Sequence, residues 1–265
     1  MQAPPPGLAA PPARAGGPRL FWLGFYAAVL LGWWGLMRMT ASPLPGLSAA
    51  DYWAALCVSA DRADPLALVA MWGLMAAAMM LPTFVPALRV FGDLAAVRAT
   101  DGRSMAALAG GYGAVWLAFA ALAAAVQFGL ARAGAMAEGG VALASWLSVA
   151  LLAGAGAYQF SPAKAACLSR CRHPLLFFME RWAPGQAAAV RMGAHLALWC
   201  VGCCWLLMLL GLLGGAMNLL WMGAATLFMV LEKLPEVGRR LTRPLGAALL
   251  AAAAVGAAGL VSTGG

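Results

Sequence analysis

Apolar runs long enough to cross the hydrocarbon core of a bilayer as a helix, about 20 residues, recur along the chain. Seven of them alternate with short polar, proline-containing or glycine-containing connections, over about 20–39, 66–90, 105–130, 141–158, 190–213, 216–234 and 244–260. Pro82 and Pro86 bend the last turns of the second run, a tight Gly211 to Gly215 turn separates the fifth from the sixth, and Pro244 opens the seventh. The pattern predicts an all-α fold, a polytopic membrane helix bundle of about seven transmembrane helices. Residues 1–19, with Pro4, Pro5, Pro6, Pro11 and Pro12, lack apolar periodicity and read as a disordered cytoplasmic tail. The first apolar run is too long for the core of a secretory signal and no clear small-residue cleavage site follows it, so it reads as an uncleaved anchor. The stretch from Thr40 to Pro65 is the longest external piece and too short for a domain. With no internal repeat, residues 20–265 form a single membrane domain.

Composition agrees with the pattern: 64% of the residues are hydrophobic, 10% are charged and the mean hydropathy is +0.84, far beyond the apolar share of roughly half in a soluble domain. The cations add an orientation, because cytoplasmic connections hold the excess of Lys and Arg. With the N terminus inside, only Arg38, Arg62 and Arg132 of the 17 fall outside. The C terminus is then periplasmic, and the net charge of +8 reflects topology and attraction to anionic lipid. Nothing in it calls for nucleic acid.

The fifth run carries Cys200-Val201-Gly202-Cys203-Cys204. On a helix the three thiols share an arc of about 100°, with Met192 and His195 toward the inner end and Met208 toward the outer. Thiolate and thioether donors away from water suit Cu(I). A lone buried cysteine packs as a small hydrophobe, but half of the chain's six cysteines on one face favour a ligand role over packing. In the second run Met71, Met75 and Met79 form one stripe, with Met80 beside it. Such stripes are more often packing than ligation. Met75 and Cys204 nevertheless fall at a similar depth, about 14 Å from the outer face, and the two helices are expected to face each other and share a Cu(I) site.

A second cysteine pair follows the fourth run. If the segment after Pro162 is helical, Cys167 and Cys171 point to one side, with His173 close enough to join them and Lys164, Arg170 and Arg172 lowering the thiol pKa. The pair could accept Cu(I) or zinc, since both take thiolate and imidazole, or could be incidental to a basic interfacial helix. A disulfide is not expected in a reducing cytoplasm.

Together Met71-Trp72, Ala78-Met79-Met80-Leu81-Pro82, Tyr158-Gln159, Pro162, Lys164, Cys167-Leu168, Cys171-Arg172, Pro174, Gly202-Cys203-Cys204-Trp205, Met208, Met217-Asn218, Trp221-Met222 and Glu232-Lys233 carry a resemblance. From about Met71 to Gly246 the chain resembles a family of bacterial inner-membrane proteins described as metal-binding integral membrane proteins, a domain of unknown function. One branch of that family is described as a copper chaperone for a bacterial tyrosinase. The resemblance implies copper handling and delivery to a copper enzyme such as a tyrosinase-like oxidase. By position it falls on Cys167, Cys171, Cys200, Cys203, Cys204 and the methionines. It does not cover Cys57, His173 or His195; His195 reads better as a packing residue than as a ligand.

Glu232 and Lys233, at the inner end of the sixth run, are expected to reach water by extending along the helix, with a proton-relay role for Glu232 as the alternative. Asn218 is placed to bond across helices. Three functional classes remain open. The first is a non-enzymatic Cu(I) chaperone or conduit, working without an ATP-binding Gly-x-x-x-x-Gly-Lys motif. The second is a membrane thiol oxidoreductase using Cys200-x-x-Cys203, and the third an assembly subunit whose sulfur-rich faces merely pack.

Overall fold

The computed structural model describes residues 17–40, 65–97, 103–136, 144–213 and 219–263. The predicted N-terminal tail up to residue 16, Cys57 with most of its loop, and Met217 and Asn218 lie outside these described residues. Among the described residues the chain forms helices α1 (Gly17–Thr40), α2 (Pro65–Val97), α3 (Arg103–Arg132), α4 (Ser145–Tyr158), α5 (Pro162–Arg172), α6 (Pro174–Arg181), α7 (Gln186–Leu209, continued by the 3-10 turn Leu210–Leu212), α8 (Leu219–Lys233) and α9 (Pro235–Thr263).

Among the described residues five helices are long and apolar enough to cross a membrane: Arg19–Arg38, Pro65–Val97, Arg103–Arg132, Gln186–Leu212 and Pro235–Ser262. The expected seven spans are therefore not confirmed. The predicted spans 141–158 and 216–234 correspond to helices of 14 and 15 residues. At 1.5 Å per residue these are about 21 and 22 Å long, short of a hydrocarbon core of about 30 Å. Two proline expectations also change. Pro82 and Pro86 lie well inside α2, which runs on to Val97. Pro235 rather than Pro244 opens the last helix, with Glu236 in its first turn and Pro244 in its interior, as a ring nitrogen at the first position costs no hydrogen bond.

α3 and α7 form the centre of the bundle. A Cβ on Gly111 would collide with the Val190 carbonyl and one on Gly193 with the Leu108 carbonyl, so the two backbones touch only because both crossing residues are glycine. α2 packs on α3, tied by Trp72 Nε1 donating to Gln127 Oε1 at 2.8 Å inside the core. α1 lies against α2, and α4 pairs with α9. α5 and α6 form a bent hairpin under the bundle. Ser161 caps α5 by accepting from the Lys164 backbone N–H at 3.1 Å, Pro162 takes the first helical position, and Pro174 forces the break into α6. α5 docks on α7, which sets the position of everything that follows.

Candidate metal centre

The three thiols of α7 are buried, with Cys200 and Cys203 at 1% exposure and Cys204 at 2%. Their sulfur atoms all lie within 4.8 Å of one another. Helical spacing alone would not close them so far; hydrogen bonding does. Cys203 and Cys204 both donate to the carbonyl oxygen of Cys200, at 3.0 and 2.9 Å, which fixes their side chains over the preceding turn. A metal–thiolate bond of about 2.3 Å in trigonal geometry sets sulfurs about 4 Å apart, so small rotations would let this trio close on one ion.

α2 supplies a fourth sulfur. Met80 Sδ lies 3.8 Å from Cys204 Sγ, whereas Met75 reaches Gly211 at the end of α7. The expected register, with Met75 level with Cys204, is thus shifted by five residues along α2. The two contacts run in opposite directions along the two helices, so they are antiparallel where they face each other. Met71, Met75, Met79 and Met208 are all buried in the same core.

The second cysteine pair joins the first, a convergence that the sequence reading did not anticipate. Cys167 sits against Gly202: a Cβ there would lie 2.6 Å from the Cys167 sulfur, so the glycine inside the cysteine motif makes room for α5. Cys171 faces Cys200 and Cys203, and these neighbouring thiols together with burial hold its own thiol well above the ordinary cysteine range. Burial raises the Cys167 thiol as well. The expectation that nearby cations would lower both is overturned, because burial and the neighbouring thiols outweigh those cations, which are bound to other partners. Lys164 is spent on Glu232, Arg172 donates from Nε to the Glu232 carbonyl at 3.0 Å, and Arg170 pairs with Glu180 at 2.6 Å. His173 is exposed at the α5–α6 junction and His195 is exposed on α7. Among the described residues, the α7 trio is the one His/Cys/Asp/Glu group that could hold a metal. A zinc site built from Cys167, Cys171 and His173 is not supported.

Cys200 also has two polar neighbours from other helices. Lys233 Nζ lies 3.1 Å from its sulfur and donates to Thr83 Oγ1 at 2.6 Å. The Tyr112 hydroxyl lies 3.0 Å from the same sulfur and 3.4 Å from the Met80 carbonyl oxygen, and its ring is held flat on Phe84, centroids 4.0 Å apart. Thr83 in turn donates to the Met80 carbonyl at 2.8 Å. Lys233 therefore turns inward to the sulfur instead of out to water. Glu232, one residue earlier, turns the other way and binds Lys164 at 3.0 Å, with both side chains at most 2% exposed. This corrects the expectation that the two charges extend to solvent. The ammonium beside Cys200 gives a metal-bound set of thiolates a countercharge at hand.

The architecture is an all-helical bundle with membrane-length apolar helices and a buried, polarised cluster of sulfur ligands. The chain belongs to the copper chaperone family PpoB2, whose model matches residues 69–256. No curated protein and no solved structure matches it. The matched stretch contains every sulfur described above.

Proposed function

We propose that the protein is a Cu(I) chaperone of the bacterial inner membrane, multi-pass with its N terminus cytoplasmic and its C terminus periplasmic, that carries copper to a client enzyme by exchange between cysteine and methionine ligands. The observation that carries this reading is the packing of three buried thiols within 4.8 Å of one another, with the Met80 thioether 3.8 Å from the third. Sulfur-only donor sets bind Cu(I) in preference to harder metals. Cys171, beside Cys200 and Cys203, is the entry ligand. Cys200, Cys203, Cys204 and Met80 hold the ion, and Met75, Met79, Met71 and Met208 line the way to the far side. Cys167 packs α5 in place and lends a reserve thiol. The client is a copper oxidase of the tyrosinase type, and no chemistry on an organic substrate is required of this chain.

The test is the copper content of the reduced protein purified in detergent, with and without Cys200→Ser/Cys203→Ser/Cys204→Ser. Near-stoichiometric Cu(I) that disappears in the triple variant is expected, together with loss of client maturation in cells. Copper-free protein that instead isolates with a stable Cys200–Cys203 disulfide would refute this reading in favour of dithiol redox chemistry.

A further inference from the structure

A cleft of about 260 Å³ leads to the sulfur cluster from the end of the bundle where α5 meets α6 and α8 meets α9. Leu234 and Pro235 are exposed at its rim, whereas Cys200 and Tyr112 lie at its floor, each 1% exposed. Cys171 and Arg172 form one wall and Lys233 another. The volume equals that of roughly nine liquid waters. It suits a small molecule and excludes a folded domain.

The charge of this entrance is opposite to the charge of a metal ion. Among the described residues two cationic side chains, Arg172 and Lys233, line the cleft and no carboxylate does; the nearby Glu232 carboxylate is occupied by Lys164. Free Cu(I), a cation, would be repelled on the way to its ligands. A Cu(I) ion already wrapped by thiolates is an anion, and would be drawn in. We propose that the cleft receives copper as a complex with a small anionic thiol, one that carries carboxylates besides its sulfur. This rests on the copper-carrying reading above and names the donor for the same centre.

The exchange conserves electrons and protons. Copper stays Cu(I) throughout. A bond from copper to a donor sulfur breaks as one to Cys171 or Cys200 forms, and the second donor sulfur is replaced in the same way. Any proton displaced from a cysteine goes to the departing thiolate, which leaves as the free thiol. The positive field of Arg172, tied to the Glu232 carbonyl and Thr242, and of Lys233, tied to Thr83 and Cys200, draws the donor's carboxylates into the cleft while its sulfur faces the floor.

The full chain, reduced and metal-free in detergent, is mixed in a stopped-flow instrument with Cu(I) complexed by glutathione, by mercaptoethanol or by cysteamine. Besides the thiol, these donors carry a net negative charge from two carboxylates and one ammonium, no charge, and a single ammonium, respectively. Transfer is followed by thiolate-to-copper absorbance. The rate constant is expected to be about tenfold higher from glutathione than from cysteamine at low ionic strength, with mercaptoethanol between them and the spread shrinking as salt is added. Arg172→Gln should narrow the ratio and Arg172→Lys restore it. Equal rates from all three donors would overturn the proposal. So would transfer from a copper-loaded protein domain but from none of the small thiols, which would assign the entrance to a protein partner. Equilibration with Cu(I) in acetonitrile separates the two readings: copper bound there with no donor preference defeats only the anionic donor, while no copper bound from any source defeats the chaperone assignment itself.

Discussion

Replacing Lys233 with Met isolates the contribution of a single positive charge to the metal centre. The methionine keeps the length and most of the bulk of the lysine stem but removes the ammonium that lies 3.1 Å from Cys200 Sγ and 2.6 Å from Thr83 Oγ1. A hydrogen bond to a charged group contributes about 1.5–3 kcal/mol, and each 1.4 kcal/mol is a factor of about ten in a binding constant. Metal binding adds negative thiolate character to the cluster, so the missing charge weakens the bound state more than the free one. Lys233→Met should therefore bind Cu(I) about 10-fold to 100-fold more weakly. Competition against a chromophoric Cu(I) chelator such as bicinchoninic acid, in detergent and under reductant, measures this directly. Thr83→Val is the companion variant: it loosens the lysine without removing the charge and should cost less than Lys233→Met. An affinity for Lys233→Met within twofold of the wild type, in a protein that unfolds at the wild-type temperature, would refute the idea that the ammonium supports the cluster.

Other consequences can be checked separately. Lys164→Met leaves Glu232 buried without its partner and should destabilise the protein by about 3–5 kcal/mol, whereas Lys164→Met/Glu232→Leu should recover most of that loss; detergent-phase unfolding of the two variants decides it. Gly202→Val drives a side chain into the space of the Cys167 sulfur and should cost about 1–3 kcal/mol, with faster alkylation of Cys167 and Cys171 as α5 is pushed off α7. Met80→Leu preserves volume, so stability should change by less than about 1.5 kcal/mol, while copper captured by the three thiols dissociates faster in chelator-chase experiments.

The helical class, the clustering of the three α7 cysteines and the approach of side chains from the second and fifth apolar runs were legible in the sequence, because helical periodicity and clustering are local properties. What was not legible depends on how helices meet. Met80 rather than Met75 faces Cys204, since the register of two helices is set by packing along their length and not by counting from span ends whose positions are themselves uncertain by a turn. Lys233 and Glu232 looked like residues reaching for water because the sequence places them at a helix end. Only the return of α5 beneath the bundle supplies Lys164 for Glu232, and only the packing of α8 on α7 brings Lys233 to the Cys200 sulfur. Tyr112 gave a single clue, a phenol within an Ala- and Gly-rich run, where a buried hydroxyl must find a partner. The two short helices α4 and α8 fall below span length among the described residues, because hydropathy registers apolar content and not where a helix begins. Ala144, extended at φ −52° and ψ 145°, starts α4 only at Ser145.

Glu232 and Lys233 are neighbours along one strand of backbone, yet the first grips α5 and the second leans on the metal-binding sulfur of α7. The hairpin that carries Cys167 and Cys171 and the deep thiol trio are consequently in mechanical series. One turn of α8 thus anchors both the segment that bears the outer cysteines and the sulfur at the floor of the cluster.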